Sequence, residues 1–216
     1  MNRRPVRAKA LAVRIIPNVD EALSKQLKLK PGIRSLGLFT STIDDVGYTA
    51  ADEATKKAAV EVVYARSFYA GSGHASGPLS GEFIAMIGGE TPAEVRSGLD
   101  AALALMESGA CFYSLNEEGT HAYYAQVISR TGSYLSQVAG IPEGEPLAYL
   151  IAPPLEAIVG LDAALKAADV RLCQFYGPPT ETNFAGGLLT GSQSACSAAA
   201  EAFAAAVSEV AAVPKK

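Results

Sequence analysis

The sequence is poor in the residues from which most active sites are made. Histidine occurs twice in 216 residues, at His74 and His121, and neither stands in an HxxxH or HExxH frame that would put metal ligands on one helix face. Cysteine occurs three times, at Cys111, Cys173 and Cys196, an odd number with no CxxC spacing. That excludes a disulfide framework, and the three read as reduced, mostly buried small hydrophobes. Charged residues make up only 19% of the chain and the formal net charge is -4. Apart from Arg3, Arg4, Arg7 and Lys9 the basic residues are scattered, so no nucleic-acid partner is expected. No apolar run approaches the roughly 20 residues of a membrane span, and no membrane partner is expected. The N-terminus lacks an apolar segment of roughly 7–15 residues before a small-residue cleavage site, so no secretory signal is read and a cytosolic location is expected.

Hydrophobic residues are plentiful, at 49%, which is enough to build a core in one large domain or two smaller ones. An internal repeat decides for two. The apolar run Ser35-Leu36-Gly37-Leu38-Phe39 is followed by Asp52-Glu53-Ala54-Thr55-Lys56-Lys57-Ala58-Ala59 and then Val60-Glu61-Val62-Val63. About 110 residues later, Leu147 to Ile151 leads into Asp162-Ala163-Ala164-Leu165-Lys166-Ala167-Ala168 and then Val170-Arg171-Leu172-Cys173. Asp52 thus matches Asp162 and Lys56 matches Lys166. Each half adds a glycine-flanked strand, over 82–87 or 187–190, and a long Ala-rich helix.

Helix signals sharpen this parsing. Thr91-Pro92-Ala93-Glu94 places an acceptor at the N-cap, proline at the first helical position and Glu three residues after the cap, predicting a helix over 92–107. Leu99, Ala102, Leu103 and Met106 then share one face, Ser192 caps the matching helix, and Leu155, Ile158, Leu161 and Leu165 outline another. Each half reads as strand, helix, strand, helix, strand, strand, helix. This is an α/β sandwich with helices against a small mixed sheet, expected as two domains over 1–109 and 110–216 joined at the small residues Ser108-Gly109-Ala110.

Few residues could carry chemistry. The glycine-rich segment 71–81 lacks the GKS or GKT ending of a P-loop, and the strand after it offers no helix N-terminus to a phosphate, so it reads as a mobile or ligand-lining loop. Gly88-Gly89 is a strand-to-helix turn in which Glu90 and Glu94 would repel an anion. Asp44 and Asp45 follow an apolar strand and Glu82 precedes another, at strand ends where sites are commonly lined. The Asp pair fits either a helix N-cap and its neighbour or a site for a small cation. A Cys- or His-dependent enzyme would rest on Cys111 or His121, and no catalytic constellation supports it.

These residues resemble the bacterial microcompartment shell-domain family, in its tandem-domain form from ethanolamine utilisation. The family's strand, its Asp four residues before Lys and the following Ala-Ala fit both Asp52 to Lys56 and Asp162 to Lys166. Further matches are Arg34-Ser35-Leu36-Gly37-Leu38, Asp44-Asp45-Val46, Ala50 to Lys56, Ser129-Arg130-Thr131-Gly132-Ser133-Tyr134-Leu135, Ala152-Pro153-Pro154-Leu155-Glu156-Ala157 and Thr190-Gly191-Ser192-Gln193. The departures are at the termini and over 114–120.

The resemblance implies two ferredoxin-like, permuted shell domains and a homotrimer in which six domains make a pseudohexagonal tile. The tile would sit beside other shell proteins in a microcompartment within the cytoplasm. It implies a structural protein with no cofactor, no metal and no catalysis, a gated central pore, and a small ethanolamine-binding pore in each subunit. Carried over by position, that pore would use Asp44, Asp45, Glu82, Phe112, Thr182, Asn183 and Phe184, while Lys56 and Lys166 would make tile-edge contacts. A small-molecule-binding regulator that builds no wall is the alternative.

Overall fold

The computed structural model describes residues 4–69 and 71–215. The chain begins with strands β1 (Arg4–Val6) and β2 (Ala10–Ile16), helix α1 (Glu21–Leu27), strand β3 (Ser35–Ser41), helix α2 (Asp44–Lys57), strands β4 (Val60–Ser67) and β5 (Phe83–Gly89), and helix α3 (Pro92–Ala104). It continues with β6 (Phe112–Ser114), β7 (Ala122–Ile128), α4 (Ser133–Ala139), β8 (Leu147–Ala152), α5 (Pro154–Ala167), β9 (Val170–Tyr176), β10 (Ala185–Gly191) and α6 (Gln193–Ala212). One sheet runs β2-β3-β5-β4 and the other β1-β6-β7-β8-β10-β9. Without β1 and β6, the second sheet has the strand order of the first, and its helices fall at the same places in the series. The two halves are thus one folding pattern used twice.

Two compact units result. The first contains Arg7–Ala110 and Gly132–Leu135, and the second contains Arg4–Val6, Cys111–Thr131 and the chain from Ser136 onward. Two short segments therefore cross the line expected between residues 109 and 110. β1 pairs antiparallel with β6, Pro5 opposite Tyr113, which places the N-terminal strand in the second sheet. Gly132–Leu135 are held by α2 through hydrogen bonds described below.

The sheets are not mixed, as the sequence suggested: every strand pairing among the described residues is antiparallel. The physical reason lies in the crossover. α2 joins β3 to β4, two strands that run the same way, but β5 inserts between them and pairs antiparallel with both. β10 does the same between β8 and β9.

Period-two burial makes β5 a core strand: Phe83, Ala85 and Ile87 are buried, as are Val46 and Ala50 of α2 and Val95 and Leu99 of α3, the two helices that pack on it. In the second unit, Leu150, Leu189, Leu161, Phe203 and Val207 belong to one cluster. α5 and α6 approach closely because Gly160 has no side chain: a Cβ there would lie 2.7 Å from the Phe203 ring.

Local signals explain most helix ends. Thr91 accepts from the Glu94 backbone N–H at 3.2 Å with Pro92 opening α3, and Ser192 accepts from Ala195 N–H at 3.1 Å to start α6. The capping box does not close, because the Glu94 carboxylate accepts instead from Ala59 N–H at 3.0 Å. The helix expected over 92–107 is α-helical to Ala104 and then widens into a π turn over Leu105–Gly109. The first-half helix begins at Asp44, well before Asp52, and its N-cap is Ile43, which makes no side-chain cap bond.

Contrary to the expectation that no apolar segment nears membrane-spanning length, α6 has 20 residues and is long and apolar enough by composition. Its Ala-rich sequence hides an amphipathic helix whose face Cys196, Ala199, Ala200, Phe203, Ala204 and Val207 is buried in the unit's core. Because Phe203 is fully buried there, Phe203→Ala should leave a cavity and destabilise the chain by about 3–5 kcal/mol. Urea unfolding followed by circular dichroism measures this, and an unchanged midpoint would contradict the packing role.

Candidate functional site

The carboxylates Asp44, Asp45 and Glu82 gather at one end of the first unit's sheet. β3 ends at Ser41, paired with Phe83 at the start of β5, and the Glu82 N–H donates to the Ser41 carbonyl at 2.9 Å. Gly81 makes this approach possible: its φ is 63°, and a Cβ there would stand 2.1 Å from the Ser41 oxygen. Asp44 and Asp45 occupy the first turn of α2, both buried, with the Asp45 N–H donating to Asp44 Oδ1 at 2.9 Å. The positive end of the helix dipole favours negative charge at that place. Neither residue is the N-cap, so the capping reading gives way to a buried acidic pair in the first turn.

Tyr48 stands one helical turn after Asp44. Its hydroxyl accepts from Ser67 N–H at 3.0 Å and lies 3.0 Å from Ser67 Oγ, while its ring meets Phe83 edge-on at 4.6 Å and stacks on Tyr134 at 6.3 Å. Burial raises the Tyr48 pKa above its ordinary value, partly offset by the Ser67 bond, and the nearby Asp44 and Asp45 charges raise it further. The glycine-rich segment reaches the same place. Gly71 is buried, and a Cβ added to it would lie 2.9 Å from Glu82 Oε1. The segment 71–81 contains a 3-10 turn over Ser72–His74 and is tied to the sheet by Thr40 Oγ1 donating to the Leu79 carbonyl at 2.6 Å. Ala70, which directly precedes this segment, lies outside the described residues.

The other four expected site residues belong to the second unit. Phe112 is buried and stacks on Tyr124 at 5.1 Å, while Phe184 meets it edge-on at 5.9 Å. Thr182 and Asn183 share the loop after the Pro178-Pro179 cis peptide, with Asn183 in the left-handed region at φ 65°. Thr180 closes that loop: its N–H donates to the Phe184 carbonyl at 3.1 Å and its hydroxyl accepts from Phe184 N–H at 3.0 Å. Phe184 directly precedes β10 as Glu82 precedes β5, so the repeat places a carboxylate and an aromatic ring at equivalent positions. Sequence reasoning passed over Tyr48, Ser67 and Tyr124. The spacing of four from Asp44 was the available signal for Tyr48; Ser67 and Tyr124 had none.

The two lysines at equivalent repeat positions have different surroundings. Lys56 is 19% exposed and pairs with Glu53 at 2.5 Å and Asp52 at 3.7 Å, whereas Lys166 is 74% exposed and pairs with Asp162 at 2.6 Å. Asp52 is fully buried and accepts from the N–H groups of Gly132 and Leu135, each at 2.8 Å. Thr55 Oγ1 accepts from Ser133 N–H at 3.1 Å. Gly132 is required at this contact, since a Cβ would lie 2.2 Å from Thr55 Oγ1. Of the groups a Cys- or His-dependent enzyme would use, Cys111 is buried and His121 Nε2 lies 2.8 Å from Glu156 Oε1. No cluster of three or more His, Cys, Asp or Glu residues able to hold a metal occurs among the described residues.

The chain is similar to known proteins in both sequence and structure. The BMC domain matches residues 35–115. The bacterial microcompartment shell protein EutL of Clostridium perfringens is 62% identical over 97% of this chain and 96% of its own length. Its counterpart in Escherichia coli is 55% identical over 97% and 95%. The crystal structure of ethanolamine utilization protein EutL from Leptotrichia buccalis superposes with a TM-score of 0.98 at 60% identity, covering 100% of both chains.

The Asp52 carboxylate is the acceptor for two buried N–H groups, so Asp52→Ala should destabilise the chain by about 2–4 kcal/mol near neutral pH. Burial raises its pKa above the ordinary 3.8, against the lowering effects of the Leu135 and Gly132 N–H groups and of Lys56. The folded state therefore holds the proton more tightly than the unfolded chain. The associated stability is full below about pH 4 and is lost as pH rises through the folded pKa. Relative to Asp52→Asn, the wild type should lose stability as pH climbs through that window. Urea midpoints for the two proteins at matched pH check this, and a difference constant across the window would refute it.

Proposed function

We propose, given that this chain belongs to the bacterial microcompartment shell-protein family as an EutL-type member, that three copies close a flat pseudohexagonal tile with a gated central pore. The tile would lie in the shell of an ethanolamine-degrading microcompartment within the cytoplasm, beside other shell proteins, and would catalyse nothing. The observation that carries the reading is the repeated sheet: the order β2-β3-β5-β4 recurs as β7-β8-β10-β9, so one chain supplies two pseudo-equivalent tile sectors. Three such chains give six sectors, the number that closes a hexagon.

Each subunit would also hold ethanolamine. The ammonium end suits the carboxylates Asp44, Asp45 and Glu82 and the aromatic faces of Phe112 and Phe184, while Thr182 and Asn183 suit the hydroxyl. Occupancy near Glu82 would bias the glycine-rich segment whose Gly71 lies against that side chain, and so favour the closed pore. Lys166, well exposed, suits a contact between tiles. Lys56 would share that role only partly, being mostly covered and engaged with Glu53 and Asp52.

Sedimentation velocity should give a species of three chain masses, and electron microscopy should show sheets. A persistent monomer would favour the alternative, a small-molecule regulator that builds no wall. Lys166→Glu should keep the trimer and lose sheet formation, whereas Lys56→Glu should also lower stability through repulsion from Asp52 and Glu53; sheets intact in both variants would remove the edge role. For the ligand, Glu82→Gln should weaken ethanolamine binding by about 1.5–3 kcal/mol by calorimetry. Saturating ethanolamine should slow hydrogen exchange over residues 70–82, and unchanged exchange would break the link between ligand and pore.

A further inference from the structure

We infer that the second unit holds a further binding site, for a small primary ammonium ion with a short apolar chain, in the cavity between strands β6 and β7 and helix α6. The cavity has a volume of about 210 Å³. That is below the range of about 300–1,000 Å³ that takes drug-sized ligands, so its occupant is small. Two tyrosines form one wall: Tyr113 of β6 sits directly opposite Tyr123 of β7, and their rings lie 6.0 Å apart. The other wall is α6, which contributes Ser197, Ala200, Glu201 and Ala204. All of these residues belong to the second unit, whereas Asp44, Asp45 and Glu82 belong to the first.

The repeat shows why there is space here. Aligned on their caps, Thr91 and Ser192, α3 and α6 match Leu99 with Ala200, Leu103 with Ala204 and Arg96 with Ser197. In the first unit Leu99 is buried and packs so closely on β3 that a Cβ on Gly37 would lie 2.9 Å from it. The second unit has a methyl group where the first has each leucine side chain, and a shorter side chain that its surroundings do not replace leaves a cavity. Tyr123 and Ala204 are each 1% exposed, so the inner end is closed to solvent. Glu201 is exposed and stands at the mouth.

The polar groups select a cation. Among the described residues the Glu201 carboxylate makes no ion pair and accepts no hydrogen bond, and an ionised carboxylate can only accept. The Ser197 hydroxyl spends its hydrogen on the Gln193 carbonyl at 3.0 Å, which leaves its lone pairs to accept from a ligand. The tyrosine rings add negative π faces, which attract an ammonium. No Lys, Arg or His lines the cavity, so a carboxylate ligand would meet repulsion from Glu201 and no compensating charge. Behind these groups Ala125 and Val127 of β7, with the two alanines of α6, offer apolar surface to an alkyl chain.

The test titrates n-butylammonium against the full chain by saturation-transfer NMR, with butyrate as the anionic control. The wild type should bind the cation with a dissociation constant on the order of 1 mM and should not bind butyrate. Glu201→Gln, at an exposed position that leaves the fold intact, should weaken binding about tenfold. Ala200→Leu, which restores the first unit's residue, should fill the cavity and abolish binding. Circular dichroism checks that this variant folds, and Glu201→Gln decides the matter alone if it does not. Glu82→Gln should leave butylammonium binding unchanged. No saturation transfer in the wild type, equal affinity for butyrate, or undiminished binding in Glu201→Gln would overturn the site. Binding lost in Glu82→Gln and kept in Glu201→Gln would place the cation at the first unit's acids and overturn it as well.

Discussion

The Asp52 carboxylate carries an unusual share of this structure. It is fully buried, and it takes the N–H groups of Gly132 and Leu135 while Lys56 stands 3.7 Å away. A buried carboxylate is costly unless its oxygens are hydrogen-bonded, and here two backbone donors and a nearby ammonium offset part of that cost. The same contact assigns Gly132–Leu135 to the first unit although the chain on both sides belongs to the second. It also requires a glycine at 132, because the closest approach leaves no room for a side chain.

The repeat gives this arrangement its interest. Asp162 occupies the matching place on α5, yet it is exposed and pairs with the neighbouring Lys166 across one helical turn. An exposed pair of that kind contributes little to stability, whereas the buried Asp52 is held by backbone groups with fixed geometry. Identical residues at equivalent positions therefore do different work. What separates them is whether a segment of chain lies over the helix, and that also separates the mostly covered Lys56 from the exposed Lys166.

A similar division marks the candidate ligand site. The sheet-end position before β5 carries Glu82 and the one before β10 carries Phe184, and the first turn of α2 carries two Asp where α5 begins with Pro154 and Leu155. The duplicated scaffold thus holds acidic groups in one unit and aromatic ones in the other.

The order of strands and helices, the duplication and the caps at Thr91 and Ser192 were legible in the sequence, because periodicity and capping are local properties of neighbouring residues. The grouping of Asp44, Asp45 and Glu82 was legible only as three acids near strand ends. The burial of Asp44 and Asp45, and the place of Tyr48 beside them, depend on tertiary packing. Pairing also decided that the sheets are antiparallel throughout, since β5 inserts between β3 and β4, and no local pattern reports a neighbour brought in by a long loop. The fates of Asp52 and Asp162, alike in sequence, were settled by tertiary structure alone: a carboxylate becomes a buried acceptor only when a distant turn delivers N–H groups to it.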